Sequence, residues 1–258
     1  MVDGRQYRFM RETEKNTFII VQARMGSTRL PGKILKEVMG RPLLEYQIER
    51  LKKINVVNKV IIATSTNPND DPVVTLCKKL NCAYFRSSED DVLLRYYETA
   101  IEFRAKYIVR INADCPLIDP KVVERVIECF SANSDRYDYV SNILEASYPI
   151  GFHAEIFTIN ALKRANESTN DPLEREHVTP YIYRNPGLFR LGSVSLNDNF
   201  SHYRWTVDYL EDFVLIKKII ESIYPKNADF DMFDVIRYLK SNPKLMKINN
   251  KITKEQTL

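Results

Sequence analysis

The stretch IIVQARMGSTRLPGK, residues 19–33, joins an apolar strand directly to a loop that carries three cations, two glycines and two hydroxyls. A buried strand that leads into a basic, glycine-punctuated loop is a common way for α/β proteins to hold a nucleoside triphosphate. Glycine permits positive φ and close approach of the backbone, so the N–H groups of Gly26, Ser27 and Thr28 can face phosphate oxygens. The stretch therefore predicts a triphosphate-binding loop, and the alternative is a solvated basic loop after a core strand.

The cations of this loop suit a ligand that carries roughly four negative charges. Arg24 and Arg29 offer planar two-point contacts to phosphate groups. Lys33 is instead a mobile point charge that can follow a phosphorus centre. We expect all three side chains to contact the triphosphate.

The composition of the 258 residues is that of an ordinary globular protein, with 44% hydrophobic and 28% charged residues. The net charge of +4 is too small to indicate a surface for nucleic acid or membranes. Nothing approaches the roughly 18 consecutive apolar residues of a membrane span. The polar residues 1–16 lack the apolar stretch of a signal peptide and are interpreted as a loose N-terminal extension.

The four cysteines show no CxxC spacing and lie among apolar residues. This pattern favours reduced, mostly buried thiols over a disulfide framework or a zinc site. We therefore expect a soluble cytoplasmic protein. The cysteines are Cys77, Cys82, Cys115 and Cys129.

Short β-rich runs alternate with amphipathic segments in the first half of the chain. Strands are predicted at 17–22, 59–64, 82–85 and 107–111. Helices are predicted from Pro42, from an Asp71 N-cap, over 89–104 and from an Asp119 N-cap. This alternation indicates βαβ units, and hence an α/β fold with a mostly parallel sheet flanked by helices.

The regular alternation of strands and helices becomes less clear after about residue 137. Strands are predicted at 138–142, 153–159 and 191–196, and helices at 160–168, 172–184, 210–223 and 231–241. No linker rich in Gly, Ser or Pro divides the halves. We expect a single domain over 17–245, with an embedded substrate or dimerisation lobe at about 138–200, and a tail over 246–258.

Polar residues follow two further strands, at the edge of the sheet where open α/β folds bind ligands. Thr64 and Ser65 could contact a base or ribose, although these residue types are equally typical of turns. Arg86 ends the third strand and is a candidate ligand contact, whereas the neighbouring Ser88 and Glu89 suit a helix cap.

Two aspartates are candidate ligands of a metal ion. Asp114 follows the strand 107–111, and Asp208 ends an alternating segment just before a helix. Mg²⁺ prefers oxygen and usually takes one or two carboxylates together with substrate phosphates. Asp208 could instead cap the following helix, and Asp212 in its first turn is interpreted as an acid that complements the helix macrodipole.

The three histidines do not form a recognisable catalytic set. His153 lies in a predicted strand on the same face as Glu155, and His177 follows Glu176 in a helical stretch. The sequence contains neither a Ser/His/Asp pattern nor a metal-binding His pair. Catalysis by positioning and electrostatics is therefore favoured over covalent catalysis.

Four motifs together resemble the spore coat polysaccharide biosynthesis protein F family: ARMGSTRLPGK (23–33), DCPLID (114–119), EREHVTPY (174–181) and WTVDY (205–209). The resemblance runs from about residue 17 to residue 222. That family belongs to the cytidylyltransferases that make CMP-activated acidic sugars, such as the acylneuraminate and ketodeoxyoctonate enzymes. The resemblance implies a Rossmann-like fold of the nucleotide-diphospho-sugar transferase type, a homodimer, CTP as nucleotide and Mg²⁺ as cofactor.

The resemblance implies that Arg24, Ser27, Arg29 and Lys33 bind the triphosphate, that Asp114 and Asp208 bind the metal, and that the segment around His177 lies on the acceptor side. The residue patterns described above add the other expected site residues. Catalysis is expected from Lys33, Arg24, Asp114 and Asp208, with the last two as metal ligands. Nucleotide contacts are expected from Ala23, Arg24, Gly26, Ser27, Thr28, Arg29, Lys33, Thr64, Ser65, Arg86 and Asn112. Contacts to the acceptor are expected from His153, Glu155, Glu176 and His177.

The chain departs from the family pattern in the expected acceptor site. The family has Asp-Val-Glu where this chain has His153-Ala154-Glu155, which changes the charge there. The expected function is transfer of CMP from CTP to an acidic sugar, for surface polysaccharide or glycan biosynthesis. The alternatives are a glycosyltransferase that uses a nucleotide-sugar, and a nucleotide-binding or interaction module without activity.

Overall fold

The first strand lies at the centre of the main sheet because its side chains are apolar on both faces. This strand, β1 (Thr17–Gln22), is buried except at its last residue. The computed structural model describes residues 16–252, and in it β1 pairs in parallel with a strand on each side. The predicted extension 1–16, apart from Asn16, and the end of the chain, 253–258, lie outside the described residues.

The main sheet of the described residues has seven strands. In spatial order they are β5 (Ala83–Ser87), β4 (Lys59–Ser65), β1, β6 (Tyr107–Asn112), β8 (Glu155–Thr158), β7 (Tyr139–Ser141) and β9 (Leu191–Ser193). The first four run parallel, whereas β8 is antiparallel to both of its neighbours and β9 is parallel to β7. A separate antiparallel pair is formed by β2 (Glu37–Val38) and β3 (Arg41–Pro42). The predicted fold class, α/β with a mostly parallel sheet, is confirmed.

Helices cover both faces of this sheet. They are α1 (Leu43–Leu51), α2 (Asp71–Lys79), α3 (Val92–Glu102), α4 (Pro120–Ser131), α5 (Ile159–Ser168), α6 (Pro172–His177), α7 (Pro180–Tyr183), α8 (Leu210–Ile223) and α9 (Met232–Ser241). Ile19 and Val21 of β1 belong to one apolar cluster with α1, α2 and α4. Phe18 and Ile20 belong to another with α3 and α5. A third cluster packs α8 and α9 against Trp205. Alternate side chains of β1 thus pack against the helices on opposite faces of the sheet.

Some element bounds differ from the predictions, and three of the differences have clear local reasons. The helix expected over 172–184 is two helices, because Val178 between them has a φ of +72°. Asp71 is the first residue of α2 rather than its cap, since a 3-10 turn over Pro68–Asp70 precedes it. The strand expected over 153–159 ends at Thr158, whose side chain caps α5.

The order of the strands places two loops side by side. From β1 the chain passes to β4 and β5 and returns on the other side of β1 as β6. Ala23 N donates to Ala63 O at 3.0 Å just beyond β1, and Ala113 N donates to Gln22 O at 3.2 Å just beyond β6. Ligands of open α/β sheets bind where the strand order reverses in this way. The segments that follow β1 and β6 therefore share one edge of the sheet.

The second half of the chain continues the same sheet through β7, β8 and β9. In the described part of the predicted tail, Asn249 is buried and donates to Asp212 Oδ1 at 2.8 Å.

The helices between residues 16 and 252 are too short or too polar to cross a membrane.

Candidate active site

A cavity of about 720 Å³ opens at the carboxyl ends of β1 and β6. This volume lies within the range of roughly 300–1,000 Å³ that is typical of ligand pockets. The loop after β1 lines part of the cavity, and residues of β6 and β8 line another part. Most of the predicted site residues line it, namely Ala23, Arg24, Gly26, Ser27, Thr28, Arg29, Lys33, Asn112, Asp114, His153, Glu155, Glu176, His177 and Asp208.

Lys33 lies between the two aspartates that the sequence singles out. Its Nζ donates to Asp114 Oδ2 at 2.7 Å and to Asp208 Oδ1 at 2.8 Å. The three side chains are only 12%, 21% and 11% exposed, respectively. Two carboxylates from distant parts of the chain therefore share one cation, and most water is excluded from this charged corner of the cavity, formed by Lys33, Asp114 and Asp208.

Electrostatic attraction in this corner outweighs the cost of burial. Burial lowers the pKa of Lys33, but Asp114 and Asp208 more than compensate, so the pKa lies above its ordinary value. Burial raises the pKa of Asp208, but Lys33 and Arg204 lower it below its usual range. At neutral pH, Lys33 is therefore a cation and Asp208 an anion.

The two aspartates also fit one hard divalent cation. Asp114 Oδ2 and Asp208 Oδ1 both lie within 2.8 Å of one positively charged atom, so they face a common point. Mg²⁺ takes such oxygens and completes its coordination with water and substrate phosphates. In the part of the chain that the structure describes, no cluster of three His, Cys, Asp or Glu side chains could hold a metal alone. The pair therefore suits a Mg²⁺ that is shared with a substrate.

The loop after β1 is anchored by a buried carboxylate. Asp70 Oδ1 accepts from Met25 N at 2.6 Å, and Asp70 Oδ2 accepts from Ser65 N at 3.3 Å. Gly32 has a φ of +66°, a region that favours glycine, and its N–H donates to Met25 O at 3.1 Å. These contacts close the loop on itself and fix the point from which Lys33 projects.

The two arginines of the loop have partners at the rim of the cavity. Arg29 Nη1 donates to Tyr209 Oη at 3.2 Å, and its guanidinium lies 5.1 Å from the centre of the Tyr209 ring. Arg24 Nη2 lies 3.5 Å from Glu176 Oε1. Both arginine side chains are more than a third exposed, so a phosphate could replace these weak contacts.

Arg95 of α3 also lines the cavity, although its residue is only 1% exposed. Its Nη1 donates to Ser88 O at 2.8 Å, while its buried Nε has no hydrogen-bond partner among residues 16–252. Burial is the main cause of a lowered pKa for Arg95. Within the same described range, the buried Asn112 Oδ1 likewise has no partner. Buried polar atoms are nearly always paired, so both atoms suit contacts to a ligand.

An ion pair lies at another wall of the cavity. Arg110 Nη1 donates to Glu155 Oε1, and Tyr139 Oη donates to Glu155 Oε2 at 2.8 Å. Arg110 Nε also donates to Gln22 Oε1 at 3.2 Å. The charges of Arg110 and Glu155 cancel, and both side chains are held in fixed positions.

His153 lies beside this ion pair. Burial lowers the pKa of His153 to about 4, although Glu155 offsets part of the effect. The imidazole is therefore neutral at pH 7. The lining of the cavity also includes the apolar residues Ile143, Ala146 and Ile150.

His177 reaches the cavity through a strained turn. Val178, the next residue, has φ +72° and ψ −55°, and Thr179 N donates to His177 O at 2.8 Å. This γ-turn geometry is rare, especially for a β-branched residue. Val178 is fully buried in the apolar cluster beside α3 and α5, so packing maintains the turn that ends α6 at His177.

Thr64, Ser65 and Arg86 do not line the cavity, unlike the other predicted nucleotide contacts. Asp70 accounts for this, because it accepts a hydrogen bond from Ser65 Oγ and so closes the corner between β4 and the loop after β1. Arg86 instead donates to Ser65 O at 2.7 Å and pairs with Asp71 at 2.7 Å. It thereby braces the turn after β4.

Sequence reasoning missed three charged residues around the site. Arg95 lies within the apolar pattern of α3, and Arg110 within the apolar strand β6, so periodicity alone assigned both segments to the core. The sequence position of Asp212 predicts an acid that complements the helix dipole, whereas the residue is fully buried and bound to Arg204. For Arg95 and Arg110, the available signal is a charge inside an otherwise apolar face, which is rarely buried without a partner or a ligand.

A family model described as Cytidylyltransferase matches residues 18–251, a range that includes every cavity residue named above. The spore coat polysaccharide biosynthesis protein SpsF of Bacillus subtilis is 32% identical over 233 residues, which are 87% of this chain and 94% of that protein. The 3-deoxy-manno-octulosonate cytidylyltransferase of Geobacter sulfurreducens is 24% identical over 204 residues, which are 69% of this chain and 80% of that protein.

A solved structure supports the same relationship in three dimensions. The cytidylyltransferase of Leptospira borgpetersenii superposes with a TM-score of 0.85 at 33% sequence identity. The match covers 90% of this chain and 96% of that one. The similarity therefore extends over nearly the whole of both chains.

Proposed function

We propose that this chain, which belongs to the cytidylyltransferase family, transfers CMP from CTP to the hydroxyl of an acidic sugar and releases pyrophosphate. An oxygen of the acceptor attacks the α-phosphorus of CTP, and the bond from that phosphorus to the β-phosphate oxygen breaks. The hydroxyl proton passes to solvent. The product is a CMP conjugate of the acceptor.

The observation that carries this proposal is the position of Lys33 between Asp114 and Asp208 inside the cavity. A site with two carboxylates and one ammonium can exchange its internal ion pairs for a metal and phosphate groups. The ammonium is then free to contact the phosphates. The loop cations thus complement the negative triphosphate, and the carboxylates complement the positive metal ion.

We propose that Asp114 and Asp208 would hold Mg²⁺. When bound there, the ion would neutralise negative charge on the triphosphate oxygens. Asp114 lies two residues after the end of β6, and Asp208 lies two residues before the start of α8, so both carboxylates lie next to regular elements. Rigid supports of this kind keep ligands in place without a further ordering cost.

The cations have separate roles in the proposal. Lys33, the most buried of the three, contacts the α-phosphate and offsets the charge that grows there in the transition state. Arg24 and Arg29 lie at the exposed rim and bind the β- and γ-phosphates, which leave as pyrophosphate. Such catalysis consists chiefly of alignment and preorganised charge.

Arg95 and Asn112 are proposed to contact the base or ribose. The Arg95 Nε donor and the Asn112 Oδ1 acceptor are both buried in the described structure without a partner there. The edge of cytosine carries both a carbonyl acceptor and an amino donor. A donor and an acceptor of the protein can therefore each find a partner on this base.

The acceptor is proposed to lie against His153 and the Arg110–Glu155 pair. With His153 neutral and the pair balanced, this wall carries no net charge, so it does not repel an acidic acceptor. The relatives described above support an acidic sugar, since one is a 3-deoxy-manno-octulosonate cytidylyltransferase and another a polysaccharide biosynthesis protein. Glu176 and His177 complete the proposed acceptor side.

We further propose a homodimer in the cytoplasm that forms through the lobe at about 138–200. Leu144 and Leu188 in this lobe are 39% and 42% exposed, which supports a contact surface there. Cys77, Cys82, Cys115 and Cys129 are free thiols, as is usual in a reducing compartment. Sedimentation equilibrium of the full chain would give the oligomeric state directly.

The reaction is tested by pyrophosphate release with Mg²⁺, each of the four nucleoside triphosphates, and a panel of nonulosonic and octulosonic acids. The proposal expects release only with CTP and at least one acid. Transfer from a preformed nucleotide-sugar, without release of pyrophosphate from any triphosphate, would contradict it.

A further inference from the structure

Asp212 is a fully buried carboxylate that accepts hydrogen bonds on both of its oxygens. Oδ1 accepts from Arg204 Nε at 3.1 Å and from Asn249 Nδ2 at 2.8 Å. Oδ2 accepts from Arg204 Nη2 at 3.1 Å. The Arg204 guanidinium thus donates to Asp212 at two points, which fixes the plane of the guanidinium as well as its distance from the carboxylate.

The same carboxylate also holds the backbone of the proposed metal ligand. Asp212 Oδ2 accepts from Asp208 N at 3.0 Å and from Tyr209 N at 3.1 Å. These bonds anchor the turn that precedes α8. Asp212 therefore acts on Asp208 by two routes, through the main chain and through Arg204.

Arg204 divides the two oxygens of Asp208 between different partners. Arg204 Nη2 donates to Asp208 Oδ2 at 2.7 Å, which leaves Asp208 Oδ1 facing Lys33 at 2.8 Å. A rotation of the carboxylate out of its present plane would lengthen both contacts together. The orientation in which Asp208 Oδ1 faces Lys33 thus depends on the Arg204 guanidinium, which Asp212 holds in place.

We propose that Asp212 is a positioning residue, which acts through Arg204 and the Asp208 backbone to aim Asp208 Oδ1 at the divalent cation. It also balances the charge of Arg204, so that Arg204 does not neutralise Asp208. This inference rests on the proposed function, because it takes Asp208 as a ligand of Mg²⁺. Partners behind a metal ligand typically change metal affinity or activity by about 10- to 100-fold when they are altered.

Asn249 extends this network into the C-terminal segment. Its Nδ2 donates to Asp212 Oδ1 at 2.8 Å and to Arg204 O at 3.0 Å, and the residue is 6% exposed. One side chain near the end of the described chain therefore ties together the two residues that orient Asp208. The structure thus assigns to Asn249 a part in the same positioning network.

Because the two aspartates would share the ion with substrate phosphates, the test is the dissociation constant of the Mn²⁺–CTP complex for the full chain without acceptor, measured from the change in the Mn²⁺ electron paramagnetic resonance signal on binding. Asp212→Asn keeps the shape of the side chain and removes its charge. Binding is expected to weaken by at least about 10-fold. In parallel, the Mg²⁺ concentration for half-maximal pyrophosphate release should rise, while KM for the acceptor stays unchanged.

The matched control is Asp234→Asn. Asp234 occupies the same capping position in α9 that Asp212 occupies in α8, and it does not line the cavity. Its affinity for Mn²⁺–CTP should equal that of the wild type. Should Asp212→Asn lose cooperative thermal unfolding, Asn249→Ala decides instead. Weaker Mn²⁺–CTP binding in a folded Asn249→Ala supports the proposal, and unchanged binding overturns it.

Asp208→Asn distinguishes a failure of the metal site from a failure of the positioning role of Asp212. Wild-type affinity for Mn²⁺–CTP in Asp208→Asn would reject the metal site of the proposed function itself. Weakened binding in Asp208→Asn, together with wild-type binding in a folded Asp212→Asn, would reject only the positioning role. Weakened binding in both variants supports both.

Discussion

Lys33 Nζ lies 2.7 Å from Asp114 Oδ2, although 81 residues separate the two in the chain. The contact exists because β1 and β6 are neighbours in the sheet, so the loops that follow them meet at one edge. Asp208 joins from a third segment at 2.8 Å. Three distant parts of the sequence thus build one charged corner, and the proposed chemistry depends on it.

Removal of Lys33 should impair turnover far more than folding. Lys33→Ala is expected to lower kcat by about 10²- to 10³-fold, since one charge that stabilises the transition state is lost. Steady-state pyrophosphate release checks this, with circular dichroism as the folding control. Lys36→Ala is the matched variant, because Lys36 lies near the same loop but contacts the Phe213 ring outside the cavity. Near-normal turnover in Lys33→Ala would remove Lys33 from the mechanism.

Arg95 should affect nucleotide affinity. Arg95→Met is expected to raise KM for CTP about 10-fold or more, since its buried Nε loses its proposed ligand contact. The control is Arg50→Met. Arg50 is equally buried, but its guanidinium donates to Ile118 O and Phe230 O, away from the cavity. Arg50→Met should therefore lose stability with KM for CTP unchanged. A wild-type KM in Arg95→Met would exclude a nucleotide contact.

Arg86 should matter for stability only. Its donors satisfy Ser65 O and Asn67 O at 2.7 and 2.9 Å, so Arg86→Met leaves two carbonyls without these partners. We expect a loss of about 1–3 kcal/mol in the free energy of unfolding. Urea denaturation measures this loss, and KM for CTP should stay at its wild-type value. A raised KM in a variant of normal stability would restore the nucleotide role that the sequence suggested.

His153 should make the fold sensitive to acid. Its pKa is about 4 in the folded chain and about 6.5 when unfolded, so the unfolded state binds the proton first. The resulting loss in the free energy of unfolding is absent above pH 6.5 and grows to about 3 kcal/mol near pH 4. Unfolding free energies measured from pH 7 to pH 4 should fall less steeply for His153→Gln than for the wild type. His202→Gln, at an exposed position, should follow the wild type. Parallel curves for all three proteins would exclude the effect.

The first strand and its loop could be predicted from sequence because their signals are local. An apolar run specifies a buried strand, and Gly32 with the adjacent cations marks the loop. The roles of Asp114 and Asp208 were harder to predict, since their meeting depends on strand order and on the chain between them. The motif resemblance supplied that information. Periodicity would not have done so.

Other features lay beyond pattern reasoning for a physical reason. Thr64 and Ser65 occupy a strand end like that of β6, but Asp70 fills the corner in front of Ser65. The sequence does not show which acid occupies that corner. Asp212 looks like an ordinary first-turn acid, and only the packing of Arg204 against it reveals a buried carboxylate.

In the proposed reaction, the α-phosphorus of CTP is transferred to an acidic sugar. The most direct measurement follows CTP labelled at the α-phosphate or at the γ-phosphate, with Mg²⁺ and an acid that supports pyrophosphate release. We expect the α-label to appear in a conjugate with the acid and the γ-label to appear in pyrophosphate. An α-label that stays in free CMP or CDP, with none in the acid, would contradict the proposed reaction.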